Sequence, residues 1–430
     1  MRRKIVWGFG LLLACASVAA SAVQAEPAYV FGPSPRALDN RAVFGAAQTA
    51  EWQALARAGV GLVVLNATFL MQSDYQRRGG AEAPPRPAGS FLDEADLAAL
   101  ADRLRQTGMS LIYEAGIGLS AEVCDDSLTA EVVGLRAARR EFRLSLHRLT
   151  DAGISVAALN VDGAFLRLIE GSRKDWSCAA AAAAGTGDGF DPATTAQAAL
   201  IYMKELRDLV AAANPDGRVP LVNLVVNLPN WQVQGLAPQG HRNGPALVPV
   251  FQAFAHAQSA AGAAPLVIAE IVVDYPYALI RADRDLFRDR SKHLWNVTRS
   301  LNPGAPPPGF GFILNSLSYA NPCLDGEPAA EAPFLIYLRG GKPISAACQR
   351  AQIGVGRADG VNDSDSDYMR DSLIYAAELA PGGALAQALV TRDGSRIADH
   401  IGHFYMQSWG VNPLRNSWYM HQLGSHLRQN

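Results

Sequence analysis

Ser155-Val156-Ala157-Ala158-Leu159-Asn160-Val161-Asp162-Gly163 is a short apolar run that turns polar at its end. Side chains along a strand alternate with period two, so Asn160 and Asp162 share a face. A buried strand ending in an amide, a carboxylate and then a glycine predicts a chain that emerges from a core into a loop carrying chemistry.

The same pattern recurs outward from this stretch. Strands are predicted over Ala28–Gly32, Gly61–Asn66, Ser110–Glu114, Ser155–Asp162, Val219–Asn227, Pro265–Asp274, Gly309–Ser316 and Gly402–Trp409. Between and after them lie amphipathic segments that predict helices over Ala47–Ala58, Asp93–Gln106, Glu131–Asp151, Thr194–Ala213, Ala246–Ala261, Asp285–Arg299, Asp365–Ala380 and Asn416–Arg428. Asp93 and Gly108 mark the two ends of the second helix, and Asn214-Pro215-Asp216-Gly217 ends the fourth. Strict alternation predicts parallel β/α units of the α/β class. Eight of each predict a closed (β/α)8 TIM barrel with long βα loops. An open doubly wound sheet is disfavoured, because Phe31-Gly32-Pro33-Ser34-Pro35 stands where a glycine-rich nucleotide loop would follow the first strand.

Residues 1–25 read as a secretory signal peptide. Arg2, Arg3 and Lys4 precede the apolar run Ile5–Ala14, and Val23 and Ala25 suit cleavage before Glu26. The expected location is therefore periplasmic or secreted. Leu12-Leu13-Ala14-Cys15 also resembles a lipobox, so a lipoprotein tethered to a membrane through Cys15 is the alternative. No later segment has the length of apolar sequence that a transmembrane helix needs. Residues 26–430 then form one barrel domain, with a long insertion at about 317–362 after the seventh strand.

The chain is 49% apolar and 18% charged, with a formal net charge of -2. A large core is possible, and no polycationic face supports nucleic-acid binding. Beyond the signal lie Cys124, Cys178, Cys323 and Cys348, without CxxC or zinc spacing. An even number in an exported chain predicts disulfides. The barrel layout pairs Cys124 with Cys178 across adjacent loops, and Cys323 with Cys348 within one loop.

Polar residues gather at the C-terminal ends of the strands. They are Asn66, Glu114, Asn160 and Asp162, Asn223 and Asn227, Glu270 and Asp274, Asn315, and finally Gln407 and Trp409. An apolar barrel core has no use for them, and burying uncompensated carboxylates there is costly. Together they predict a polar site at one end of the barrel. No GxSxG elbow, HExxH or histidine cluster is present, and no metal or cofactor is expected. His400 and His403 fall at the start of the last strand, the end opposite the expected site. Paired carboxylates suit glycoside hydrolysis, in which one acid protonates the leaving oxygen and another carboxylate attacks or activates water. Amides such as Asn66, Asn160, Asn223, Asn227 and Asn315 can hold sugar hydroxyls. Trp231, Tyr275 and Trp409 can stack on sugar faces, as can Trp176, Tyr277 and Tyr319.

Ile112-Tyr113-Glu114-Ala115-Gly116, Leu159-Asn160-Val161-Asp162-Gly163, Ala269-Glu270-Ile271 and Tyr405-Met406-Gln407-Ser408-Trp409 resemble the (β/α)8-barrel glycoside hydrolase superfamily. The resemblance spans the mature chain in architecture and resolves no family. It implies a glycan substrate and a tryptophan floor at Trp409. The sequence departs from the largest clan, because Asp162 and Asn315 stand near places where that clan carries glutamates. Clans with carboxylates after strands four and six are closer.

Asp162 is the expected nucleophile or base. Glu270 is preferred over Asp274 as the acid, on a strand of five residues; a longer strand gives Asp274 that role and makes Glu270 a buried, compensated carboxylate. Glu114 is a third catalytic candidate that adjusts its neighbours' pKa values. The alternatives are a non-catalytic glycan-binding barrel in exopolysaccharide assembly, or a barrel lyase or phosphodiesterase. Asp363, Asp365 and Asp367 lack the glycine and glutamate of a calcium loop and read as a helix N-terminus. The Asn66, Asn296 and Asn362 sequons carry little weight.

Overall fold

The computed structural model describes residues 26–35, 37, 39–75, 82–85, 91–121, 128–169, 189–236, 245–260, 265–316, 365–407, 413 and 415–429. The signal segment, the 317–362 insertion, Cys15, Trp176, Tyr319 and Trp409 lie outside these residues. So do all four cysteines of the expected disulfides.

Eight parallel strands close into a barrel. In chain order they are β1 (Ala28–Gly32), β2 (Leu62–Asn66), β5 (Ser110–Ala115), β6 (Val156–Asp162), β7 (Leu221–Asn227), β8 (Ile268–Asp274), β9 (Gly309–Ile313) and β10 (Ile401–Gln407), with β10 pairing back to β1. A separate antiparallel pair, β3 (Ser73–Tyr75) and β4 (Glu82–Pro85), follows β2 and is not expected from the sequence. The (β/α)8 barrel is thus the observed architecture. Helices Thr49–Arg57, Glu94–Thr107, Ala130–Glu141, Pro192–Ala213, Leu247–Ala260, Arg284–Thr298, Asp365–Leu379 and Asn416–Leu427 match the eight expected segments. Short helices at Tyr277–Ala282 and Ala384–Ala388 are additional. The expected third helix is interrupted: a π-helical turn, Phe142–Leu146, separates Ala130–Glu141 from His147–Asp151.

Local signals explain the boundaries. Asp93 accepts from Asp96 N at 3.0 Å while Asp93 N donates to the Asp96 carboxylate at 3.1 Å, a reciprocal cap that starts Glu94–Thr107. Gly108 closes that helix at φ 70°, in the left-handed region. At the N-terminal end of the barrel, Asn214 and Asn302 follow two helices and do the same work. Each asparagine bonds both backbone groups of a strand's first residue, Val156 for Asn214 and Ile268 for Asn302, at 2.8–3.0 Å. Neutral amides thus satisfy strand ends that would otherwise be buried without partners.

Inside the barrel, Val30, Val64, Ile112, Ala158, Val225, Val272, Ile313 and Tyr405 form one layer, with one residue from each strand. The opposite strand faces join the helices in a much larger apolar shell. Strands in a closed barrel tilt, so rows of hydrogen-bonded partners run obliquely to the barrel mouth. One such row is Asn66, Glu114, Asn160, Asn223, Glu270 and Gly309. It begins at the last residue of β2 and ends at the first residue of β9. The row therefore descends from the mouth into the barrel.

Candidate active site

That descent separates the candidate residues into two groups. Glu114, on the penultimate position of β5, and Asp162 and Asp274, the last residues of β6 and β8, lie at the mouth. Glu270 lies deep. β8 runs the full seven residues to Asp274, so the five-residue strand that made Glu270 terminal is not formed.

Glu270 is fully engaged below the site. Tyr405 donates its hydroxyl to Oε2 at 2.5 Å, and His403 Nδ1 lies 2.9 Å from Oε1. His403 is therefore a partner of a buried acid rather than a bystander at the barrel's far end. Hydrogen bonding to Glu270 raises the His403 pKa against the opposing effect of burial. Gly311 makes this cluster possible, since a Cβ there would sit 2.7 Å from the Tyr405 ring and 2.9 Å from the Glu270 carboxyl. Asn160 and Asn223 lie between Glu114 and Glu270 along the row. Asn223 Nδ2 donates to Asn160 Oδ1 at 2.8 Å, and both residues are buried.

The mouth is built differently. Glu114 is 3% exposed and accepts a hydrogen bond from Gln407 Nε2 on Oε2; Asn66 also bonds the carboxyl. Oε1 has no hydrogen-bond partner among the described residues. Burial pushes the Glu114 carboxyl well above the usual carboxylate range. The charge of Asp162, and more weakly that of Asp274, pushes it the same way, against the amide hydrogen bonds. Asp162 is the most open of the three, its side chain 26% exposed. Arg167 Nη2 meets its Oδ2 at 3.1 Å, and Arg167 Nε donates to its carbonyl at 3.2 Å. Asn227 Nδ2 donates to Asp274 Oδ2 at 2.7 Å. Tyr375, fully buried, has its hydroxyl pKa raised by burial and then by the Asp274 charge.

Other candidates are less directly placed. Asn315 follows β9 and its carbonyl accepts from Tyr277 N at 2.8 Å, tying the Tyr277–Ala282 helix to the strand end. Trp231 and Tyr275 are buried. Trp231 packs edge-on against Phe165 and Phe251, and Tyr275 against Phe287. Alternation explains Tyr275: the residue after inward-facing Asp274 turns toward the helix layer. In this structure both aromatics are packing residues. Gln407 is recognisable in the sequence only as a strand end, and Arg167 and Glu141 carry no local signal of their roles. Arg167 lay five residues past Asp162 in a loop, within reach of it only once the turn had formed. Among the described residues, no group of three or more His, Cys, Asp or Glu side chains could hold a metal ion, and no helix is long and apolar enough to cross a membrane.

No protein-family model matches the sequence, and no curated protein matches it. Solved structures to which the chain is similar are barrel proteins of several activities. A GH5-4 broad specificity endoglucanase from an uncultured bacterium shares 11% identity at a TM-score of 0.41, with 95% of each chain covered. The GH113 β-mannanase of Alicyclobacillus acidocaldarius shares 10% at a TM-score of 0.37, covering 93% of this chain and 97% of that one. Morphinone reductase shares 13% at a TM-score of 0.33, covering 66% and 76%. Glycoside hydrolases and an oxidoreductase thus stand side by side, and at these scores the likeness carries no argument about chemistry.

Proposed function

We propose that this chain is a glycoside hydrolase, acting on a polysaccharide or oligosaccharide, with Asp162 as nucleophile or base and Glu114 as the acid. The observation that carries the reading is the unlike state of two neighbouring carboxyls. Glu114 is buried and pushed toward its proton-bearing form, while Asp162 is open and ion-paired to Arg167. Glycosidic cleavage needs one group of each kind. Glu114 would give its proton to the leaving oxygen as Asp162 attacks the anomeric carbon or takes a proton from water. If Asp162 bonds to the sugar, its charge disappears and Glu114 gives up its proton more readily, which suits it to act next as base toward water. Asp274, held by Asn227, adds to the charge that keeps the proton on Glu114. Glu270, occupied by His403 and Tyr405, takes no part in proton transfer to substrate.

We further propose that the chain works outside the cytoplasm after removal of residues 1–25, which N-terminal sequencing of the exported protein would test by the presence of Glu26. The function is tested by assaying release of reducing ends from a panel of glycans with wild type and Asp162→Asn. Turnover of one glycan by the wild type and a loss on the order of 10³-fold in the variant are expected. Near-normal turnover by a folded Asp162→Asn protein would overturn the assignment.

A further inference from the structure

The helix Ala130–Glu141 ends in a carboxylate that no part of the proposed chemistry uses. Glu141 is fully buried, and its two oxygens accept four hydrogen bonds. Oε1 takes them from Tyr113 Oη at 3.0 Å and Gly116 N at 3.2 Å; Oε2 takes them from Gly118 N and Tyr202 Oη, both at 2.6 Å. Two of these donors are backbone groups of the loop that leaves β5 after Ala115, one residue past Glu114. Tyr113 is the residue immediately before Glu114. Gly116 N also donates to Tyr202 Oη at 2.8 Å, so the helix Pro192–Ala213 is drawn into the same knot.

The loop held in this way lies directly on the Asp162 backbone. Gly116 has φ 112°, and a Cβ there would stand 2.1 Å from the Asp162 carbonyl oxygen. Arg167, which grips both the carboxylate and the carbonyl of Asp162, lies near enough to Glu141 to favour its ionised form, although burial raises the Glu141 pKa overall. Four donors fill the lone-pair positions of a carboxylate and leave none for a proton unless a tyrosine hydroxyl turns. The π-helical turn Phe142–Leu146 begins at the next residue. Such turns insert a residue into an otherwise regular helix and recur at functional sites.

We propose that Glu141 is a positioning residue: it fixes the Tyr113–Gly118 segment against the Asp162–Arg167 turn and so sets the approach of Glu114 to Asp162. Its own atoms touch neither carboxyl. This inference rests on the hydrolase reading of the mouth, and its test has a readout that needs no substrate. Glu141→Gln keeps the shape of the side chain but presents an NH2 to donors that need an acceptor. Tyr202→Phe keeps Glu141 and removes one of its four partners, which gives a milder variant if the first does not fold.

The experiment follows the titration of Glu114 by nuclear magnetic resonance in protein labelled at its glutamate carboxyls. The Glu114 signal is identified by its loss in Glu114→Gln. In wild type the midpoint should lie above the ordinary carboxyl range. Groups facing Glu114 are Asp162, Asp274, Gln407 and Asn66, and those facing Glu141 are Tyr113, Tyr202 and Arg167. Loosening the knot moves Asp162 off Glu114, so the midpoint should fall in Glu141→Gln and fall less in Tyr202→Phe. On a cleaved glycan, kcat should drop about 10²-fold in Glu141→Gln, as for misplaced reacting groups, with KM little changed. If the variants melt earlier but leave the Glu114 midpoint where it was, Glu141 only holds the fold and the inference fails. An ordinary midpoint in the wild type itself would instead overturn the reading of the mouth.

Discussion

Glu114 and Glu270 belong to one register row of the same barrel, and both are nearly closed to water, at 3% and 6% exposure. Their surroundings are opposite. Glu270 has a hydroxyl and an imidazole, with room made for them by Gly311. Glu114 has two neutral amides, and its charged neighbours are carboxylates. A buried acid with complementary partners is part of the packing. One crowded by like charges is held in a state that folding does not favour, and such states mark functional sites. The same contrast runs along the barrel axis. The N-terminal end is closed by the self-satisfying amides of Asn214 and Asn302, whereas the mouth gathers three carboxyls.

Replacing each glutamate by glutamine should break the contrast in opposite directions. Glu114→Gln should lower kcat by roughly 10²- to 10⁴-fold, the range for loss of a general acid, while the protein melts at the same or a higher temperature. Unchanged turnover would move the acid role to Asp274. Glu270→Gln should instead cost roughly 2–3 kcal/mol of stability, because His403 and Tyr405 lose the carboxyl acceptor they share in the barrel interior. Denaturant melts measure this, and the pH profile of the remaining activity should keep its shape. A stable Glu270→Gln protein without activity would reverse the two roles.

The pH dependence of stability sharpens the comparison. Both Glu114 and His403 have pKa values raised by folding, so each contributes fully below its unfolded value and loses its contribution as pH rises through its folded value. The windows differ. For Glu114 the loss begins above the ordinary carboxyl value of about 4.3, and for His403 above about 6.5. Melting temperature measured from acid to alkaline pH should therefore decline more gently in Glu114→Gln over the lower window, and in His403→Gln over the upper one. Equal slopes in wild type and both variants would remove the distinction. The smallest effect is expected at the far end of the barrel. Asn302→Ala should cost about 2 kcal/mol, from the unpaired backbone of Ile268, with kcat unaffected.

Much of this was legible in the chain itself. Apolar runs of strand length, spaced by amphipathic segments, can bury their faces only as stacked β/α units, so the barrel and its helices followed from periodicity. Asp93 and Gly108 act within one helix, and their roles as caps were readable without knowing what the helix packed on. The gathering of Asn66, Glu114, Asp162 and Asp274 at strand ends was likewise local, since alternation and strand termination are properties of neighbours in sequence.

Depth in the barrel was not local. Glu270 and Asp274 lie on one face of one strand, four residues apart, and nothing in Ile268–Asp274 says how far below the mouth Glu270 stays. Strand tilt and the register with β7 and β9 decide that, as they decide that Glu270 meets His403 and Tyr405 of β10. The aromatic residues beside the loops were equally undetermined until Phe251 and Phe287 packed onto Trp231 and Tyr275. Sequence alone determined the barrel and the end at which its polar residues collect, because those depend on period and order. Only the tertiary structure decided which buried acid is satisfied and which is crowded, because a carboxyl's pKa depends on charges brought near it by other strands and helices.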